Sequence, residues 1–589
     1  MNVAAFARIV AWCGLAGCIG ISVFAERAIA AEPGKAVIIG INDVYQIEGV
    51  DGGRSGGMAR VRALRAELEK VAPDLLLLHA GDFLSPSFPG RSYKGAQMID
   101  AMNLMDGNPA EDSFDARMFV AFGNHEFDDT NCNRSGPLDE LVTVSEFTWL
   151  ASNFDFRKCA PLAALASNKR VVVNRVVESG GLKIGLFSVG LAYPAYAQTV
   201  LDPIGVACQQ IKELRSRGVD AVVALTHLTW EMDRELLGLG DDWKALPKGG
   251  RECSDVPDLV IGGHDHKNMG LPSEAPRLFK ADADAQSAWV VEIEKAEGGL
   301  KISGRLEVLD NKRAVDPLVR RVSGYWLKLN DERYCLRDCV GRERDALKAC
   351  LSSVDGGRCL AQEFARAVSV VETEEIINRS YETGFGDWLA DIVREAGEAD
   401  VAFINAGSIR INQDLPAGTM ITRRHLAQMF PFQNTFVSRE VSGADLWRAV
   451  SHAVAKRGEG PWAHFSGMAV RLAEAGSAGK VARVLVRRRD GSVLEIGPQN
   501  TDRFKVASSS FVLANGDGHG FEVCEGKVFS DCILMLEADP QWPLQGEAAE
   551  MTGLVGLKLR EAGRKHGLEF RVDRRLCDRG QVDCLIETW

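Results

Sequence analysis

Past its first thirty residues this chain has no apolar stretch of the ~20 residues that a membrane-crossing helix needs, so no later segment reads as a bilayer span. It has no excess of positive charge either. With 69 Lys and Arg against 81 Asp and Glu, the net charge of -12 disfavours a nucleic-acid polymer as partner. There is no P-loop, no dinucleotide glycine fingerprint and no serine-hydrolase elbow, so those chemistries lack their anchoring loops. No internal repeat is evident. Histidine is scarce, at 10 in 589 residues, and what it clusters with is therefore informative.

Four of those ten histidines fall in five short segments that lie far apart in the chain. The segments are Asn42-Asp43-Val44-Tyr45, Gly81-Asp82, Gly123-Asn124-His125-Glu126, Thr226-His227 and Gly262-Gly263-His264-Asp265-His266. Each follows a short apolar run (36–41, 75–78, 118–122, 221–225 and 259–261) of the kind that forms a buried strand. Each motif thus sits at a strand's carboxyl end, where layered α/β domains gather ligands. A lone Gly-Asp is usually a turn, and a lone His usually a hydrogen-bonded core residue. The ordered set is different. It combines carboxylate, amide and imidazole donors with glycines that relieve crowding, as a pair of hard or borderline ions requires. His79, His425, His452, His464, His519 and His566 show no such grouping.

In these motifs the chain resembles the calcineurin-like metallophosphoesterases, and within them the secreted 5'-nucleotidase and UDP-sugar hydrolase group. The resemblance implies an α/β fold: an N-terminal four-layer α/β/β/α catalytic domain and a C-terminal α/β specificity domain. It implies that Asp43, Asp82 and His266 bind one metal ion and that Asp82, Asn124, His227 and His264 bind the other, with Asp82 bridging. His125 and Asp128 match the family's catalytic pair, and their spacing suits one face of a helical turn. Gly56 to Arg60 and Leu150 to Asn153 are similar to family segments as well.

One departure falls among the ligands. Where the family has Asp-x-His, this chain has Asp43-Val44-Tyr45, a phenol with a reference pKa near ~10 in place of an imidazole. Three roles are open to Tyr45: a phenolate ligand favouring Fe, a hydrogen-bond partner of a metal-bound water, or a packed side chain with water in the vacant position. Otherwise the expected cofactors are two divalent ions, with Zn, Mn, Mg or Ca all compatible with the donors.

The second half carries its own signal. Asn405 to Arg410 follows the apolar stretch 401–404, with Phe430-Pro431-Phe432-Gln433-Asn434 and Ser510 to Gly518 downstream. These resemble the specificity domain of the 5'-nucleotidases, which implies that Phe432 and Phe511 stack on a base beside Asp517 while Asn405 and Arg410 approach the phosphate. Stacking of this kind is worth about 1 to 3 kcal/mol per base, and a guanidinium grips phosphate bidentately. The family's Arg-Glu-x-Asn-x-Gly-Asn corresponds here to Tyr381-Glu382-Thr383-Gly384-Phe385-Gly386-Asp387. A cation is lost at Tyr381 and a carboxylate gained at Asp387, which weakens the expected grip on phosphate. Arg379, two positions earlier, is placed to compensate.

Residues 1–30 read as an export signal, with Arg8, an apolar run from Ile9 to Phe24 and Ala28-Ile29-Ala30 before the cleavage point. Leu15-Ala16-Gly17-Cys18 offers the alternative of a lipoprotein anchored at Cys18. Removing Cys13 and Cys18 from the 14 cysteines leaves an even number in an oxidising compartment, which favours disulfides. Spacing suggests pairs such as Cys132 with Cys159, Cys524 with Cys532 and Cys577 with Cys584, while Cys335, Cys339, Cys350 and Cys359 also admit a zinc cluster. The length exceeds one core. We expect a catalytic domain over 31–317, a Cys-bearing connector over 318–369, a substrate-binding domain over 370–572 and a disulfide-tied tail over 573–589.

The expected function is a secreted or periplasmic two-metal phosphohydrolase. Its metal-bridging hydroxide would attack a nucleotide or a related small phosphate ester. A cyclic-nucleotide phosphodiesterase or another phosphomonoesterase on the same scaffold, and a non-catalytic nucleotide-binding protein, are the alternatives.

Overall fold

Each short apolar run becomes a strand, and each motif lies at or just beyond the strand's carboxyl end: Lys35–Ile41, Leu76–His79, Met118–Ala121, Ala221–His227 and Leu259–Gly262. The computed structural model describes residues 34–110, 113–240, 244, 246, 253–270, 277–432, 434–473, 480–524, 526–563, 567–577 and 584–589. The expected export signal and the alternative Cys18 anchor lie outside the described residues. Among those described, no helix is long and apolar enough to cross a membrane.

The described residues fall in two compact units, those up to Ser85 with Tyr93–Trp326, and Pro86–Ser92 with Leu327–Trp589. In the first, a 7-stranded sheet runs in the order Gly299–Val308, Ser287–Ala296, Lys35–Ile41, Leu76–His79, Met118–Ala121, Thr148–Leu150, Val171–Val172. A 6-stranded sheet runs Met269–Gly270, Leu278–Lys280, Leu259–Gly262, Ala221–His227, Leu182–Gly190, Asn174–Ser179. The side-chain period of two sorts these strands by face. Ile38, Leu78, Phe119 and Ala121 of the first sheet share one buried cluster with Ile184, Leu186, Val223 and Ile261 of the second. The alternate residues Phe187, Val222, Ala224 and Val260 pack instead on the helix Pro203–Ser216. On the first sheet, Ile39, Leu77 and Val120 are also buried, and the helices Met58–Leu68 and Ala96–Met102 bury their own apolar faces. The motif-bearing strands of each sheet run parallel, so their carboxyl ends share one edge.

The second unit uses the same alternation. In the strand Val401–Asn405, Ala402 and Ile404 pack with the helix Gly384–Ala396, while Val401 and Phe403 pack with the helix Gly443–Ala455. Six disulfides join the described residues: Cys132–Cys159, Cys208–Cys253, Cys335–Cys359, Cys339–Cys350, Cys524–Cys532 and Cys577–Cys584. The three pairs suggested by spacing are present. The zinc reading of Cys335, Cys339, Cys350 and Cys359 is not, because all four sulfurs are consumed in disulfides.

Asp387 also differs from its expected role. It is 2% exposed, its Oδ2 accepts the Asp573 N–H at 2.8 Å, and Arg575 lies beside it at 3.8 Å. Burial, joined by the Glu382 carboxylate, pushes Asp387 up to about 10 against the pull of Arg575. It therefore stays protonated at neutral pH and adds no negative charge. Since its pKa is raised above the unfolded value of ~3.9, its contribution to stability is whole below that value and fades as pH climbs towards about 10. Thermal melts of Asp387→Asn should match the native protein near pH 4 and exceed it by a margin that grows from there towards about pH 10. Parallel melting curves at all pH values would mean that Asp387 is ionised in the fold.

Candidate functional site

The backbone at the shared strand ends is strained where the motifs predict ligands. Asp43, Asp82, His264 and His266 have φ of 52°, 61°, 80° and 62°, a left-handed conformation that costs non-glycine residues on the order of 1 to 3 kcal/mol each. The turns are also tightly apposed. A Cβ at Gly123 would stand 2.2 Å from Asp82 Oδ1 and 2.7 Å from the Asp82 nitrogen, so only glycine fits there.

Two donor groups form around Asp82. In the first, ligand atoms of Asp43, Asp82 and His266 lie within 4.8 Å of one another. Tyr45, 3% exposed, turns its hydroxyl into this group, 2.9 Å from His266 Nε2, 3.0 Å from Asp82 Oδ2 and 3.3 Å from Asp43 Oδ1. In the second, Asn124 Oδ1 lies 3.2 Å from both His227 Nε2 and His264 Nδ1, and His227 Nε2 lies 3.2 Å from Asp82 Oδ2. The Ala80 carbonyl, 2.7 Å from His227 Nδ1, accepts that nitrogen's proton, which directs Nε2 at the two oxygens. A neutral Nε2 facing two oxygen lone pairs needs a cation among them. Without an ion that cation is a proton: burial pushes His227 down, but the Asp82 charge outweighs it and carries the imidazole up to about 10. His264, buried beside it, is pushed well below its usual value by burial and by His227. Two carboxylates, an amide oxygen and three imidazoles so arranged fit a pair of divalent ions.

His125 and Asp128 are in contact. His125 opens a single helical turn, His125–Phe127, and its Nδ1 lies 2.9 Å from Asp128 Oδ2, which accepts a hydrogen bond from Ser85 Oγ at 2.8 Å. The His125 backbone N–H donates to Asp82 Oδ1 at 2.8 Å, tying the dyad to the residue common to both groups.

Two supporting residues escaped the sequence reading. Glu126, 3% exposed, accepts the backbone N–H groups of Asp82 at 2.8 Å, Phe83 at 2.8 Å, Leu84 at 3.2 Å and Gly123 at 2.6 Å. Burial and the Asp82 charge raise it to about 7 against those donors. Lys280, fully buried at the end of its strand, donates to the Leu228 carbonyl at 2.8 Å, pairs with Asp233 at 2.7 Å and binds Asp265. It thereby joins the loop after His227 to the loop of His264 and His266. The Gly-Asn-His-Glu tetrad carried Glu126 in plain view, whereas nothing local marks Lys280.

In the second unit, Asn405 Nδ2 donates to Asp517 Oδ2 at 2.8 Å, and the Asp517 carbonyl accepts from His452 Nε2 at 2.9 Å. Phe511 is partly buried, edge-on to Phe529 at 5.8 Å, with the backbone of Gly516 against its ring. Phe432 is half-buried. Arg410 lies 3.5 Å from Glu375 Oε1 and Arg379 3.3 Å from Glu375 Oε2, so two buried guanidinium groups share that carboxylate. Tyr381 is 57% exposed, so Arg379, and not Tyr381, joins Arg410.

Residues 36–268 match the calcineurin-like phosphoesterase family, and residues 367–525 match the 5'-nucleotidase C-terminal domain. The chain is similar to snake venom 5'-nucleotidase of Crotalus adamanteus, 24% identical over 546 residues that cover 84% of each chain. It is similar to 5'-nucleotidase of Homo sapiens, 23% identical over 515 residues covering 80% of each. The crystal structure of a 5'-nucleotidase precursor from Thermus thermophilus superposes with a TM-score of 0.67 at 18% identity, over 93% of this chain and 100% of that one.

Calorimetric titration of chelator-treated protein with Mn(II) should give two binding events per chain. Asp82→Ala should lose both, because its carboxylate serves both groups, and two remaining events would refute that sharing.

Proposed function

Since the chain belongs to the calcineurin-like phosphoesterases that carry a 5'-nucleotidase C-terminal domain, and is thus a metal-dependent phosphoric ester hydrolase, we propose that it is an exported enzyme that removes the phosphate of nucleotides with the help of two ions. The observation that carries this reading is the position of Asp82 between two complete donor groups, with the His125 dyad bonded to it. Asp43, Asp82 and His266 would hold one ion, and Asp82, Asn124, His227 and His264 the other. When bound, the ions lower the pKa of a water towards ~7 and neutralise charge on the phosphoryl oxygens. With its Nδ1–H held by Asp128, which Ser85 steadies, His125 would donate from Nε2 to the phosphoryl group as an imidazolium, the form that the Asp128 carboxylate stabilises as charge develops. An intact dyad supports an enzyme over a nucleotide-binding protein without catalysis.

The division of labour belongs to the same proposal: 31–317 catalyses, 370–572 binds the nucleoside, and 318–369 connects them. Arg410 and Arg379 would approach the phosphate, Phe432 and Phe511 would offer faces for a base, and Asn405 with Asp517 a hydrogen-bonding edge. Export is supported by the six disulfides, which oxidising compartments favour.

Phosphate release from a panel of 5'-nucleotides, cyclic nucleotides, nucleotide sugars and an aryl phosphate tests the substrate class. The 5'-nucleotides should give the highest kcat/KM, and a preference for cyclic nucleotides would overturn the assignment. His125→Ala should retain its ions and lose about 10²- to 10³-fold in kcat, as loss of one transition-state donor does. Phe432→Ala and Phe511→Ala should each raise KM for a nucleotide about 10-fold or more and leave aryl phosphate hydrolysis nearly unchanged. Equal losses on both substrates would make these rings core residues.

A further inference from the structure

The group around Asp43 carries a phenol, Tyr45, where the family pattern has an imidazole. We propose that Tyr45 is a direct ligand of the ion held by Asp43, Asp82 and His266, and that this position is built for a hard trivalent ion such as Fe(III). The inference rests on the reading of the strand-end motifs as a metal centre.

The spacing of the donors supports this. Around an ion with bonds of about 2.0 to 2.2 Å, neighbouring donors stand about 2.8 to 3.1 Å apart at right angles and about 3.3 to 3.6 Å apart at tetrahedral angles. Tyr45 Oη stands 2.9 Å from His266 Nε2, 3.0 Å from Asp82 Oδ2 and 3.3 Å from Asp43 Oδ1, and His266 Nε2 stands 3.4 Å from Asp43 Oδ1. All four separations are those of one coordination shell. Hydrogen bonding accounts for them less completely, since the phenol's single proton meets both carboxylate oxygens.

The Tyr45 ring is also fixed in place. The backbone N–H groups of Tyr45 and Gln46 both donate to Asp284 Oδ1, at 3.0 and 2.9 Å. The ring packs edge-on to His125 at 5.8 Å and tilted to His266 at 5.3 Å, and the side chain is 3% exposed. The hydroxyl is thus held in place before any ion binds.

Charge points the same way. With Tyr45 bound through its oxygen and its proton released to solvent, the ion meets the Asp43 carboxylate, a phenolate, a share of the Asp82 carboxylate and one imidazole. Such an anionic, oxygen-rich set, including tyrosinate, suits ferric iron better than zinc. A histidine at this position would offer a neutral nitrogen and suit Zn(II).

The test uses the full-length protein, stripped with chelator and reloaded separately with Fe(III) and with Zn(II), beside Tyr45→Phe and Tyr45→His treated alike. The Fe(III)-loaded protein should show a visible phenolate-to-iron charge-transfer band that Tyr45→Phe lacks, and Tyr45→His should bind Zn(II) at least about 10-fold more tightly than the native chain. Circular dichroism and retention of one ion by Tyr45→Phe verify that the variant is folded. Iron uptake without a visible band, or the same band in Tyr45→Phe, would overturn the proposal while leaving phosphate release, measured alongside, intact. If no ion bound to either group, this proposal and the function would fall together.

Discussion

The Glu126 carboxylate holds the site together. Four backbone N–H groups from two loops converge on its two oxygens, so the turn at Asp82 and the turn at Gly123 are fixed to each other. Backbone donors in a buried turn have no solvent to bond, and each would cost about 1 to 3 kcal/mol if left unsatisfied. One side chain satisfies all four, and that offsets the left-handed strain at Asp82, itself on the order of 1 to 3 kcal/mol. Once that turn is fixed, Asp82 Oδ2 faces both donor groups and Oδ1 receives the His125 N–H. Lys280 plays the matching part on the other sheet, where its ammonium joins the loops of His227 and His264 through Leu228 and Asp265.

The two sheets explain why such distant residues meet. Parallel strands place every carboxyl end on one edge, and a common buried cluster sets the sheets face to face. The donors therefore come from rigid strand ends, and the geometry is set before a ligand arrives.

Much of this was legible in the sequence because its signals are local. An apolar run followed by Gly-Asp or Gly-Asn-His marks a strand end, and cysteines seven or eight residues apart, such as Cys577 with Cys584 and Cys524 with Cys532, close loops short enough to guess. What remained hidden depends on distant partners. The contact between Lys280 and Asp265 and the sharing of Glu375 by Arg379 and Arg410 follow from the fold, not from any motif. Asp387 misled for the same reason: its motif suggested a charge near phosphate, whereas burial and the Glu382 carboxylate push its pKa up against the pull of Arg575 and the Asp573 N–H. Tyr45 was visible as a departure, but the direction of its hydroxyl was not.

The central claim is that two ions around Asp82 make this chain a nucleotide phosphohydrolase. The most direct measurement follows phosphate release from a nucleoside 5'-monophosphate by chelator-stripped protein as metal is returned in counted equivalents. The account predicts no turnover in the stripped protein and full recovery at two equivalents per chain. Turnover that survives complete stripping, or that never appears at any occupancy, would contradict it.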